Sequence, residues 1–303
     1  MNKEILGLII PCYNEAERLP MAQFEAFLDS EAGQYCRLIF VDDGSRDNTS
    51  EVIRPLAMKS GRVHLLRLTS NRGKGEAVRQ GVLLALGLSD CQITQVGFWD
   101  ADLATPLEEV KNFQAVMTTD PAKSMVIGNR HVKHNCGVER NILRNVISYA
   151  ILWLINLMLG FKLKDSQCGA KIFRRSVAEL CFGRPFVSRW LFDVEIFKRL
   201  LRVVSVAQLE RNLGQYDLAS WHEVAGSKLK FYHFFNILCE MLKINFCYRR
   251  HLSFRGRLIN PLIIYRWSRK KFNRDFLMEC HFKIFRFAVV CLLFLFIIHD
   301  ICE

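Results

Sequence analysis

The chain has 303 residues, 50% of them hydrophobic and 12% aromatic, so it can build a large core and disorder is excluded as its dominant state. A formal net charge of +12 points to an anionic partner: nucleic acid, phospholipid or a phosphorylated substrate. The 11 cysteines are scattered, without CxxC pairs or zinc-type Cys/His spacing, which favours reduced thiols in a cytosolic compartment over a disulfide framework or a structural metal.

Residues 5–10 read as a strand, too short for a signal peptide, so no secretory leader is expected. This strand ends at Pro11-Cys12-Tyr13-Asn14-Glu15, a loop leading to a helix expected from near Ala16. A second strand is expected over 37–41, ending in Asp42-Asp43-Gly44-Ser45, and a third over 63–68. After it come Asn71-Arg72-Gly73-Lys74-Gly75 and a helix over 76–88, then further strands over 96–99 and 124–128. Short apolar runs alternating with helical stretches predict βαβ units and a mostly parallel sheet. Right-handed crossovers then carry every polar loop to one edge.

At that edge the run over 96–99 stops at Asp100-Ala101-Asp102, two carboxylates one residue apart. Hard divalent cations that carry phosphates are held by one or two carboxylates plus phosphate oxygens, which suits this pair. Such pairs also serve as turn residues and helix caps, and it is the convergence of loops that lifts the motif. Asn71–Gly75 fits no standard phosphate loop; it is either a flexible turn or a place where Arg72 or Lys74 faces phosphates.

Beyond Gly128 lie Asn129 and Arg130, then Arg140 and Arg144, four apart on one helical face. The apolar run over 146–161 is sixteen residues, too short at about 1.5 Å per residue to cross a bilayer upright. It is either a buried core helix or one lying in a membrane interface, and the interface is preferred. A late strand is expected over 203–209, a loop over 221–228 and a helix over 231–246. The rest of the chain is basic, aromatic and apolar together, and closes on twelve unbroken apolar residues, 287–298, readable as a shallow anchor. No recognition helix or RNA-binding signature accompanies the basic stretch, so nucleic acid is not expected as a partner.

Pro11–Glu15, Val41–Ser45, Asn71–Gly75 and Asp100-Ala101-Asp102 together resemble, in that order, the inverting family 2 glycosyltransferases of the GT-A fold. The second half is similar to dolichyl-phosphate β-glucosyltransferases through Asp165-Ser166-Gln167-Cys168-Gly169-Ala170-Lys171, Arg189-Trp190-Leu191-Phe192-Asp193-Val194-Glu195 and Trp221-His222-Glu223-Val224-Ala225-Gly226-Ser227-Lys228. The resemblance implies a catalytic domain over 1–230; the basic, apolar stretch over 231–303 is read from its composition as membrane-associated helices, with the catalytic domain expected on the cytoplasmic side of the membrane. The resemblance also implies that Pro11, Tyr13, Glu15, Asp42, Asp43 and Lys74 hold a nucleotide sugar, UDP-glucose above all. Asp100 and Asp102 would hold Mg²⁺ or Mn²⁺ on its diphosphate, and Asp165 and Gln167 would close the site beside the sugar. Arg130, Arg140 and Arg144 would receive a polyprenyl or dolichyl phosphate. GDP-mannose or another isoprenoid acceptor is the alternative pairing, and a non-catalytic nucleotide-sugar-binding module the less favoured class. Departures from the family are Asn129 for its usual Ser, Ala170 for its usual Phe, and the tail beyond Leu252.

Overall fold

A computed structural model of the chain describes residues 4–130, 142–222 and 233–248. The chain divides into two compact units, Met1–Ile244 and Asn245–Glu303. The first is built on a seven-stranded sheet. Its early elements are β1 (Leu6–Cys12), α1 (Met21–Asp29), β2 (Cys36–Asp42), α2 (Thr49–Lys59), β3 (Val63–Arg67), α3 (Lys74–Leu86), β4 (Gln95–Phe98) and α4 (Glu109–Thr119). Then follow β5 (Met125–Asn129), α5 (Ile142–Leu159), β6 (Lys171–Arg174), α6 (Arg175–Phe182), α7 (Phe192–Leu200), α8 (Val206–Asn212), β7 (Leu213–Asp217) and α9 (His233–Tyr248).

The strand order is β3-β2-β1-β4-β6-β5-β7. β1 pairs in parallel with β2 on one side and β4 on the other, while β6 runs antiparallel to both β4 and β5. β1 and β2 are buried almost throughout, as expected of strands covered by helices on both faces. Chain order reverses on either side of β1, and a crevice beyond the carboxyl ends at such a switch point is where α/β sheets place ligands. The loop after β1 and the Asp100-Ala101-Asp102 turn after β4 flank that crevice.

The structure corrects three expectations. The first helix starts at Met21 rather than near Ala16, because the backbone N–H groups of Arg18 and Leu19 fold back onto the Glu15 carbonyl and Pro20 stands at the helix start. No strand forms over 203–209. Instead the Ser205 hydroxyl accepts from the Gln208 N–H at 3.2 Å, which starts α8, and the strand follows at Leu213–Asp217. The sheet also gains β6, whose four residues include Lys171 and Arg174 and show no apolar run.

α5 is buried along one side and exposed along another. Leu154, Ile155 and Leu159 are buried, while Tyr149, Trp153 and Leu157, spaced four apart, remain exposed. Among the described residues no helix is long and apolar enough to cross a membrane. The basic stretch and the apolar segment at 287–298 lie outside the described residues.

Candidate active site

Three of the polar loops are tied together by their own side chains. The Asn14 N–H donates to Ser45 Oγ at 2.9 Å, the Arg46 N–H to Asn14 Oδ1 at 2.9 Å, and the Glu15 N–H to Thr49 Oγ1 at 2.9 Å. Asn14 takes a left-handed φ of 53°, which a short polar side chain bonded to its surroundings tolerates. Glu15 also accepts from Arg18 at 2.7 Å, and Tyr13 stands exposed at the rim. Pro11 lies within β1, opposite Val41 of β2.

Asp42 is fully buried. It accepts from the Ser45 N–H at 2.8 Å and from the Ser50 hydroxyl, and Arg67 stands 3.6 Å away. Asp43 accepts from the Arg72 and Gly73 N–H groups, each at 2.8 Å. Burial works against its ionisation and raises its pKa, although those two amides and Arg189 pull the other way. Both residues thus fasten together from inside the loops that the resemblance expects to border the nucleotide. What they hold is the Asn71–Gly75 loop, which presents Lys74.

Lys74 pairs with Asp100. Burial disfavours the Asp100 carboxylate, but the Lys74 ammonium outweighs it, with Arg130 and Lys171 adding to the same effect, and the pKa is lowered. The same pairing raises Lys74 against its own burial cost, with Asp193 contributing. Asp102 accepts from the Ala104 N–H at 3.1 Å across a turn in which Leu103 takes a positive φ of 50°. A non-glycine residue in that region costs free energy and is typically kept where a site needs it.

A second acidic group faces this one. Arg130, just past β5, grips Asp165 through Nε at 2.6 Å and Nη2 at 3.0 Å, a bidentate fork. Asp165 also accepts from the Gln167 N–H at 3.0 Å, leaving the Gln167 side chain exposed. Burial pushes Asp165 up, but Arg130 more than compensates and the pKa is lowered; Arg130 is raised in turn. Arg130 further lies over the Trp221 ring, 5.9 Å from its centroid. Arg140 and the side chain of Arg144 lie outside the described residues; the Arg144 backbone falls in the first turn of α5.

The structure therefore gathers Lys74, Asp100, Arg130 and Asp165 around the end of β4, with Tyr13 and Glu15 beside the end of β1. It adds Gly169, where a Cβ would strike the Asp100 carboxylate, and Lys171, which acts on Asp100 through its charge. Sequence reading places both within the Asp165–Lys171 motif but gives neither a role of its own. The signal available was the glycine two residues before a lysine that opens a strand. Glu195 turns inward: fully buried, it accepts from the Val187 N–H at 2.9 Å, the Ser188 N–H at 3.1 Å and Arg199 at 2.8 Å.

Among the described residues no three His, Cys, Asp or Glu side chains converge as a closed metal cage. A half-buried carboxylate held ionised by a cation, with a second two residues away, nevertheless suits a hard ion that completes its shell with phosphate oxygens.

A family model described as "Glycosyl transferase family 2" matches residues 8–182. The chain belongs to that family. It is 31% identical to the dolichyl-phosphate beta-glucosyltransferase of Dictyostelium discoideum over 74% of this chain and 68% of that protein. It is also 31% identical to the dolichyl-phosphate beta-glucosyltransferase of Homo sapiens over 74% of this chain and 69% of that protein. Among solved structures, this family 2 transferase shares its fold with glucosyl-3-phosphoglycerate synthase from Mycobacterium tuberculosis. That enzyme was crystallised with Mn²⁺, UDP and glucosyl-3-phosphoglycerate; the TM-score is 0.57 at 15% identity, covering 80% of each chain.

Proposed function

We propose that this family 2 transferase moves glucose from UDP-glucose to dolichyl phosphate, giving a β-linked lipid-phosphate sugar. One observation carries the reading: the chain aligns along three-quarters of its length with proteins named for that reaction. The site's chemistry supports it. The acceptor is a monoester phosphate, largely ionised near neutral pH because its second pKa lies near ~6, so no protein base is required. The lipid phosphate oxygen attacks the anomeric carbon from the face opposite UDP, and the breaking C–O bond leaves its electron pair on the UDP β-phosphate. Inversion of an α-linked donor gives the β-linked product.

The protein's task is to bring two anions together. Tyr13 and Glu15 border the nucleotide at the end of β1, and Lys74 reaches its diphosphate. Asp100 and Asp102 would hold Mg²⁺ or Mn²⁺ there, a Lewis acid that neutralises charge developing on the departing UDP. Arg130, oriented by Asp165, receives the acceptor phosphate together with Arg140 and Arg144, and Gln167 closes the site beside the sugar. The transferase works on a membrane with its site towards the cytoplasm. The exposed Tyr149 and Trp153 of α5, with Leu157 beside them, support contact with a membrane, since such rings favour the boundary between water and lipid.

The test is a transfer assay on purified protein with Mg²⁺ or Mn²⁺ and a short dolichyl phosphate, comparing UDP-glucose, UDP-N-acetylglucosamine and GDP-mannose. Lipid-linked product from UDP-glucose, abolished by EDTA, is the expected result. Product from another donor alone would overturn the glucose assignment, and EDTA-insensitive transfer would overturn the metal.

A further inference from the structure

Beneath the site lies a buried ion pair to which no role has been assigned. Lys171 is only 1% exposed, and its Nζ donates to Asp193 Oδ1 at 2.7 Å, to the Cys168 carbonyl at 2.7 Å and to the Ser166 carbonyl at 3.3 Å. It also lies 5.3 Å from the centroid of the Phe98 ring, the residue opposite it in the β4–β6 register. Taking an ammonium and a carboxylate out of water is costly, and swapping such a pair for apolar residues is often neutral or stabilising. Stability alone therefore does not account for it.

Geometry does. The two carbonyls held by Lys171 belong to the turn immediately before Gly169, and Gly169 rests against the Asp100 carboxylate so closely that no side chain fits between them. On the opposite flank, Asp193 sits in the first turn of α7 beside Phe192, against which Gly75 packs with room for no Cβ. Gly75 follows Lys74, which pairs with Asp100. Asp100 is thus pressed from one side by Gly169 and held from the other by Lys74, and the Lys171–Asp193 bond ties the two flanks together.

We propose that Lys171 and Asp193 are positioning residues: touching no substrate, they fix the Asp100 carboxylate in the orientation that binds the cation–diphosphate. The inference rests on the reading of Asp100 as a cation ligand. The experiment measures Mn²⁺ binding in the presence of UDP, by titration with paramagnetic resonance of free Mn²⁺, on full-length protein. The variants are Asp193→Asn, Lys171→Met combined with Asp193→Leu, Lys171→Arg and Asp100→Ala, each with its melting curve. Loss of supporting contacts around metal ligands typically weakens affinity by roughly 10- to 100-fold, and that loss is expected in both Asp193→Asn and the double variant, at near-native melting temperature in the double variant and at a lowered one in Asp193→Asn, which leaves the Lys171 charge buried without its partner. Lys171→Arg, which keeps the charge, should retain more affinity than the double variant. If the double variant does not fold, Asp193→Asn, which preserves shape and an acceptor, carries the comparison. Mn²⁺ binding lost in Asp100→Ala but unchanged in the folded pair variants would overturn the inference alone. Binding unchanged in Asp100→Ala would overturn the ligand reading and the inference with it.

Discussion

At the end of β2, Asp42 and Asp43 vanish beneath the surface; at the end of β4, Asp100 stays at it, its side chain 36% exposed against 0% for Asp42. Both strands are parallel, both are apolar, and both deliver acids to the same edge. What separates them is the supply of internal donors. The loop after β2 offers the Ser45 N–H and the Ser50 hydroxyl to Asp42, and the neighbouring loop offers two amides to Asp43. Around Asp100 the glycine at 169 offers no side chain, and a lysine from another loop does the balancing. Acids with saturated internal donors build the loops; the acid balanced by a side-chain cation is the one a ligand can reach. A carboxylate paired with an ammonium exchanges that partner for a metal or phosphate-bound cation more readily than one embedded in backbone amides.

The comparison breaks most sharply on function. Asp102→Ala should lower kcat by about 10³-fold, the scale of losing one element of electrostatic stabilisation, without lowering the unfolding midpoint. A steady-state transfer assay beside urea unfolding checks both halves, and near-normal turnover would remove the acidic pair from the chemistry. Asp42→Ala should do the reverse. It strands buried donors and should lower stability by about 3 kcal/mol, the range for losing a buried bond to a charged group, as read from urea unfolding. If Asp42→Ala leaves stability intact yet raises KM for the nucleotide sugar, the division between fastening and ligand-facing acids fails.

The same contrast marks what could be read from the sequence. The parallel half, β1 to β4, announces itself as apolar runs ending in polar loops, and its strands appear within a residue or two of their expected places. The other half hides its signals. β6 is invisible because Lys171 and Arg174 spoil its apolar pattern, and a lysine 1% exposed is legible only once Asp193, seen from another helix, is seen to neutralise it. α8 was masked by Val203 and Val204, which mimic a strand, while the deciding feature was one serine hydroxyl at the helix start. The motif acids are recognisable as a set, but sequence has no means of counting the backbone donors aimed at each, so the burial of Asp42 and the exposure of Asp100 are not legible in it.

Gly169→Ala probes the contact that keeps Asp100 accessible. A methyl at 169 would meet the carboxylate itself, so either the turn or Asp100 must move. Mn²⁺–UDP affinity should fall about tenfold, as for other disturbed supports of metal ligands, with UDP binding in EDTA unaffected. Calorimetric titration with and without Mn²⁺ distinguishes this from a general loss of the nucleotide pocket. An unchanged affinity would mean that the turn yields and that Gly169 matters only for packing.

The smallest expected effect belongs to the Arg130–Asp165 fork. Asp165 has a folded-state pKa below its unfolded value of ~4, so the pair stabilises the fold above that pH. The contribution is lost as pH falls from the unfolded value through the folded one. Because Arg130 is half open to water, its worth is discounted to about 1 kcal/mol. Asp165→Asn should therefore be less stable than the wild type by that amount near neutral pH, and the difference should close in unfolding experiments carried out well below pH ~4. A difference that persists unchanged in acid would show that the bonds to Asp165 work through geometry rather than charge. Arg130 would then offer an acceptor phosphate a fuller positive charge than the fork now implies, and the acceptor side of the site would resemble the exchangeable Lys74–Asp100 pair more than the sealed acids of β2.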